Sequence, residues 1–202
     1  MSTRSAVGGA PLNSRTGRTT TAILDAAARV FSEHGSSANM ADIAAAAGVG
    51  RATLYRHFPD REALLGALAS HAIADSAARL ADAGLERAPV AEAIERIVRA
   101  VTAIGDRYSV LAGEHVESDP DEVERLLAAP VRAVLTRGIE SGLLRQDLPP
   151  DVLFELFRGA LGAAIQLIRH GRLGVEEASA AAASVFLDGA RAQSNPQLSA
   201  PG

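Results

Sequence analysis

Residues 39–65 read Asn-Met-Ala-Asp-Ile-Ala-Ala-Ala-Ala-Gly-Val-Gly-Arg-Ala-Thr-Leu-Tyr-Arg-His-Phe-Pro-Asp-Arg-Glu-Ala-Leu-Leu. Two short helical pieces, about 40–47 and 51–57, are separated by Gly48-Val49-Gly50. A glycine at 48 supplies the positive φ of a tight turn without steric cost. Ile43 and Ala44 form the inner face of the first piece, and Val49, Leu54 and Phe58 anchor the second, Leu54 and Phe58 lying at i and i+4. That pattern is a helix-turn-helix, whose second helix is the usual occupant of a major groove. With the anchors inward, Arg51, Ala52, Tyr55 and Arg56 are left at the surface.

Outward from this motif the periodicity is helical. Upstream, Ile23, Ala26, Ala27, Val30 and Phe31 form one stripe, and Gly35 is a stop of the C′ type. Downstream, Asp60 is a natural N-cap for an alanine-rich helix to about Ala83, and Pro89 is expected at N1 of the next. Asp119-Pro120-Asp121-Glu122 opens a helix expected to run to Ser141, with Gly142 ending it. Pro149-Pro150-Asp151 opens another, ending near Gly171, and a last helix spans about Val175 to Ala190. No segment alternates with period two for long enough to make a strand. The expected fold is all-α with about nine helices. It comprises an arm over residues 1–16, a three-helix domain over 17–66, a helical domain over 67–192 and a flexible tail over 193–202.

Composition removes several function classes. The 202 residues contain no cysteine, which excludes disulfides, a thiol sensor and Cys-ligated metal. Alanine makes up about a fifth of the chain, a helix-favouring bias, and all 20 basic residues are arginine. No apolar run reaches the ~18 residues of a membrane span, and no apolar signal core opens the chain, so a cytoplasmic location is expected. His34, His71, His115 and His170 show no HExxH-type spacing, and no GxSxG, Walker loop or strand-borne GxGxxG occurs. Neither an enzyme nor a metal or cofactor site is expected.

The stretch Ile43-Ala-x-x-Ala-Gly-Val-x-x-x-Thr-Leu-Tyr-x-His-Phe-x-x-x-x-Ala-Leu-Leu65 resembles the DNA-binding domain of TetR-family transcriptional regulators. Ile23-Leu-Asp-Ala-Ala-x-x-Val-Phe-x-x-x-Gly35 is similar to that family's first helix, and Gly138-x-x-x-Gly142-x-Leu-Arg-x-Asp147-Leu-x-Pro150 to a weaker pattern that many members carry. The resemblance implies that Asn39 caps the second helix and touches phosphate. It implies phosphate contacts from Thr53, Tyr55, His57 and Arg61, and base reading by Arg51, Ala52 and Arg56. An arginine can pair bidentately with guanine O6 and N7. Gly50 departs from the serine frequent in the family and removes one contact. Arg15 and Arg18 are either minor-groove contacts of an arm or part of a solvated tail.

The charge distribution agrees with that implication. Residues 1–66 hold seven arginines against five acids, a balance of +2 that leaves −6 for the rest of a chain of net charge −4. A small basic head on an acidic body suits DNA contact. The resemblance further implies a homodimeric repressor, released from a palindromic double-stranded operator by a small-molecule effector. Residues about 151–170 are apolar nearly all round, and Gly159, Gly162, Ala163 and Ala180–Ala183 keep side chains small. Such a helix is buried on two sides, either at the centre of a core or against a second copy through the two C-terminal helices. Tyr108, His115, Phe154, Phe157 and Arg158 interrupt aliphatic helices and are the ligand-binding candidates, although core packing also explains the aromatics. A ligand-independent regulator or activator, and a helical ligand-binding protein without DNA binding, are the alternatives.

Overall fold

The computed structural model describes residues 15–108, 110–111 and 118–192, and its regular elements there are helical. The arm and tail of the expected organisation fall almost wholly outside the described residues. Helix α1 (Arg15–His34) is followed by a 3-10 turn (Gly35–Ser37), α2 (Met40–Ala46), α3 (Arg51–His57) and α4 (Arg61–Asp82). After these come α5 (Val90–Arg107), α6 (Pro120–Val123), a π turn (Glu124–Ala128), α7 (Ala129–Glu140), α8 (Pro150–Arg169) and α9 (Val175–Ala190). The chain forms two compact units that divide inside α4, after Leu68; a short stretch including Val110 and Leu111 groups with the first.

Two helix starts and one helix interior differ from the sequence expectation. Helix α1 begins at Arg15, inside the expected arm, and within this polar first stretch the Thr20 and Thr21 hydroxyls bond back to the carbonyls of Thr16 and Gly17. Pro89 is the N-cap of α5 and not its first helical residue: its carbonyl already accepts the Ala93 N–H at 2.8 Å. The helix expected from Pro120 to Ser141 is broken by the π turn, while Asp119 caps it as expected by accepting from the Asp121 N–H.

In the first unit Ile23, Phe31, Ile43, Leu54, Leu64 and Leu68 are the fully buried large side chains. In the second, α5 packs against α7, α8 and α9 around Ile94, Ile97, Leu135, Leu153 and Phe157. A buried hydroxyl pair, Thr102 Oγ1 and Ser179 Oγ at 2.7 Å, joins α5 to α9. Each hydroxyl also reaches the carbonyl four residues back, so neither is left unsatisfied.

Six positions of the Gly138–Pro150 pattern have a structural reason. Gly142 takes φ +74°, in the left-handed region, and turns the chain out of α7. The turn drives Leu144 into the core, fully buried, with its N–H on the Gly138 carbonyl. Arg145 forks onto Asp147 and donates to the Gly189 carbonyl at the end of α9. That forked hydrogen bond holds the Asp147 carboxyl below the usual carboxylate range. Pro150 then occupies the first position of α8, where its missing N–H costs nothing.

Gly138 is the close-approach point: a Cβ there would lie 2.6 Å from Leu144 Cδ1 and 2.9 Å from Val90 Cγ1. At Gly66 in α4 a Cβ meets nothing within 4 Å. Gly138→Ala is therefore expected to destabilise by about 1–3 kcal/mol through overpacking. Gly66→Ala should stabilise by up to about 1 kcal/mol through helix propensity. Urea denaturation of the two variants measures both, and equal effects would contradict this packing.

Candidate nucleic-acid interface

The turn between α2 and α3 is built by hydrogen bonds that the sequence can supply in only one way. The Gly48 N–H reaches the Ala45 carbonyl at 3.1 Å and the Val49 N–H reaches Ala44 at 3.0 Å, the two bonds of a Schellman stop. Gly48 sits at φ +66°. At the other end of α2, Asn39 Oδ1 accepts from the N–H groups of Ala41 and Asp42, and the Asp42 carboxylate accepts from the Asn39 N–H. This reciprocal capping box fixes both the start and the tilt of α2. The Arg29 guanidinium adds a 3.4 Å bond to the Ala46 carbonyl.

Helix α3 has seven residues, and its interior contact is Leu54, 0% exposed, continued by Phe58 just beyond its end. That anchorage leaves Arg51, Ala52, Tyr55 and Arg56 exposed on one side and Thr53 half-buried at its edge. Tyr55 is 48% exposed. Neither Arg51 nor Arg56 has a hydrogen-bond or ion-pair partner among the described residues. Asn39 is also exposed, and with Oδ1 committed to the cap its amide N–H groups are the donors it has left.

His57 and Arg61 are bound into the unit. His57 Nδ1 lies 3.1 Å from Thr20 Oγ1, which orients the ring against α1. Arg61 donates to the Ala38 carbonyl at 2.9 Å and lies 4.8 Å from the Phe31 ring centroid, so it ties the first turn of α4 to α1 and to the entry of α2. Asp60 caps α4 as expected, accepting from the Ala63 N–H at 2.8 Å. Sequence reasoning missed Thr20; its signal was the polar Thr run just ahead of the α1 stripe.

Of the ligand-binding candidates among the described residues, Phe154, Phe157 and Arg158 lie on α8 and Tyr108 just beyond the end of α5. Phe157 is fully buried, edge-on to Phe186 at 4.8 Å, and Phe154 lies beneath the Arg132 guanidinium, 3.9 Å from its ring centroid. Arg158 is exposed on α8 and forks onto Glu155. Tyr108 is buried at the end of α5, its hydroxyl 3.5 Å from Asp75 Oδ2 and its ring edge-on to His71. His115 lies outside the described residues.

A capped helix, a left-handed glycine turn and a second short helix that shows two unpaired arginines define a helix-turn-helix DNA-binding domain. The family model described as "Bacterial regulatory proteins, tetR family" matches residues 23–68. The chain is 31% identical over 160 residues to the HTH-type transcriptional repressor AcnR of Corynebacterium efficiens, covering 73% of this chain and 78% of AcnR. It is 46% identical over 93 residues to the repressor LfrR of Mycolicibacterium smegmatis, a stretch that spans 44% of this chain and 46% of LfrR. The crystal structure of LfrR in complex with proflavine superposes with a TM-score of 0.71 at 29% identity, covering 88% of this chain and 99% of that one. The chain belongs to the TetR family: it is a DNA-binding transcriptional regulator and not an enzyme.

Removing the Asn39 cap tests the local construction. Asn39→Ala is expected to lower stability by about 1 kcal/mol, whereas Asn39→Ser keeps a capping oxygen and should cost only a fraction of that. Thermal denaturation of the two variants reads the difference, and equal losses would contradict the capping role.

Proposed function

We propose that this chain is a homodimeric repressor whose paired α3 helices read a palindromic operator and whose second unit binds a small-molecule effector that releases it. The observation that carries the reading is the exposed, unpaired pair Arg51 and Arg56 on a helix rotated into place by Leu54. Arg51, Ala52 and Arg56 face base edges; Asn39, Thr53 and Tyr55 reach phosphate from the rim of the same surface. His57 and Arg61 act chiefly by positioning, and any phosphate contact they make is shared with Thr20 and Ala38.

One α3 covers only a few base pairs, so useful affinity calls for two heads on a two-fold axis. Helices α8 and α9 supply a surface for that axis. Leu153, Phe157 and Leu161 face the core, while Val152 and Leu156 look outward beside exposed Gly159, Gly162 and Ala163. On α9, Val185 is 72% exposed between Ala181 and Gly189. Apolar residues interleaved with small ones allow two helix pairs to approach closely as a four-helix bundle.

Effector response is supported by the likeness to LfrR, whose structure holds proflavine. Helix α4 is one unbroken element from Arg61, beside the reading head, to Asp82 in the second unit. A ligand that shifts its later turns acts on the helix that also carries the head, a population shift between operator-competent and released states.

Arg51→Ala and Arg56→Ala are each expected to weaken operator binding by about tenfold or more, the worth of a bidentate base contact, without loss of fold. Fluorescence anisotropy on a selected duplex reads this, and full affinity in both variants would overturn the assignment of α3. For the dimer, Leu156→Glu with Val185→Glu should give a monomer by sedimentation equilibrium. A variant that stays dimeric would place the axis elsewhere.

A further inference from the structure

A cleft of about 680 Å³ opens in the second unit between the last turns of α4, the α4–α5 turn, the π turn and α7. Its volume lies within the range of small-molecule sites, about 300–1,000 Å³. Half-buried Leu126, with Leu80 and Val134 of the core behind it, supplies the larger apolar residues of its lining, and Arg87, Arg125 and Arg137 stand around it with Glu86 as the single acid.

These cations differ from others in the same unit. Arg79, Arg96, Arg99, Arg132, Arg145 and Arg158 each face a carboxylate within 4.0 Å. Arg137 donates instead to the carbonyls of Leu85, Glu86 and Ala88, which hold its guanidinium in place but bring no full negative charge to it. Arg87 and Arg125 are exposed and have no partner among the described residues. Three arginines with no carboxylate partner therefore gather at one cleft of mixed polar and apolar lining, on a body whose overall charge is negative.

The π turn is an independent sign. This geometry is rare, usually a single turn inserted in an α-helix, and frequent at functional sites. Here it supplies Arg125 and Leu126 to the cleft.

We infer that this cleft is the effector site and that it takes an amphipathic anion, an apolar chain or ring system bearing a carboxylate or a phosphate. The apolar part of the lining receives the body, and the Arg87 and Arg125 forks receive the head group, for which a guanidinium is geometrically matched. Leu80 belongs to α4, so the bound ligand presses on the helix that begins at the reading head. The inference rests on the effector-responsive reading above and names the chemistry of the effector.

Calorimetric titration of the full chain with dodecanoate, dodecyl phosphate and dodecanol tests it. The two anions should bind, and dodecanol, with the same chain and no charge, should bind about tenfold more weakly or worse. Whichever anion binds tighter identifies the head group. Arg87→Gln and Arg125→Gln should each weaken anion binding severalfold and leave dodecanol unaffected, while Arg158→Gln, outside the cleft, should change nothing. Equal binding of dodecanol and dodecanoate, or wild-type anion affinity in the Arg87→Gln/Arg125→Gln double variant, would overturn the site. The effector role is read separately, by anisotropy on the selected duplex. Saturating anion should weaken operator binding at least tenfold; arginine-dependent anion binding with unchanged operator affinity would overturn that role. Failure of the underlying reading looks different: the protein would then bind no duplex selectively even without ligand.

Discussion

Burial of Leu54 is the contact on which the reading head depends. A seven-residue helix has no stability of its own in water, since isolated helices are marginal below about 12–15 residues. α3 exists because Leu54 is fully buried and Phe58 nearly so, with Gly48 and the Asn39 capping box fixing the direction from which the chain enters. The same contact sets the rotation of the helix. Turning it by one residue would bring Thr53 or Tyr55 inward and carry Leu54 into water; turning it further would bury a guanidinium without a partner, which is far costlier. Sequence thus dictates which side of α3 stays exposed.

A second constraint acts on the body. Helices α8 and α9 must bury one apolar side to form the core with α5, yet they carry a second apolar side that this core does not cover. Val152, Leu156 and Val185 on that outer side are interleaved with glycine and alanine, which suits a helix–helix contact better than a solvated surface. Arg79, Arg96, Arg99, Arg107, Arg132, Arg145 and Arg158 of the body face carboxylates, whereas Arg87, Arg125 and Arg137 gather at the α4–α5 cleft with none.

Much of this was legible in the chain because the signals are local. The turn at Gly48, the N-cap at Asp60 and the burial of Leu54 each follow from residues within one or two turns of one another, and the capping role of Asn39 came from the family resemblance. The π turn was not, because no glycine or proline within Glu124–Ala128 marks it and none of its residues is buried. Nor was the cleft, since Arg87 and Arg125 are distant in sequence and meet only when the α4–α5 turn is held against α7 by Arg137. Among the ligand-binding candidates, an aromatic residue on an aliphatic helix reads the same whether it fills a core or lines a cavity. Phe157 fills the core. Arg61 shows the same limit for cations, since a family position facing phosphate can equally serve to lash α4 to α1 and α2.

Selection of bound duplexes from a random pool by the full-length protein tests the central claim most directly. Two copies, each reading DNA with Arg51 and Arg56 on a helix pinned by Leu54, predict enrichment of an inverted repeat with guanines in each half-site, the centres separated by about one helical turn or a multiple of it. A pool that stays unenriched, or that converges on a site without two-fold symmetry, would contradict it.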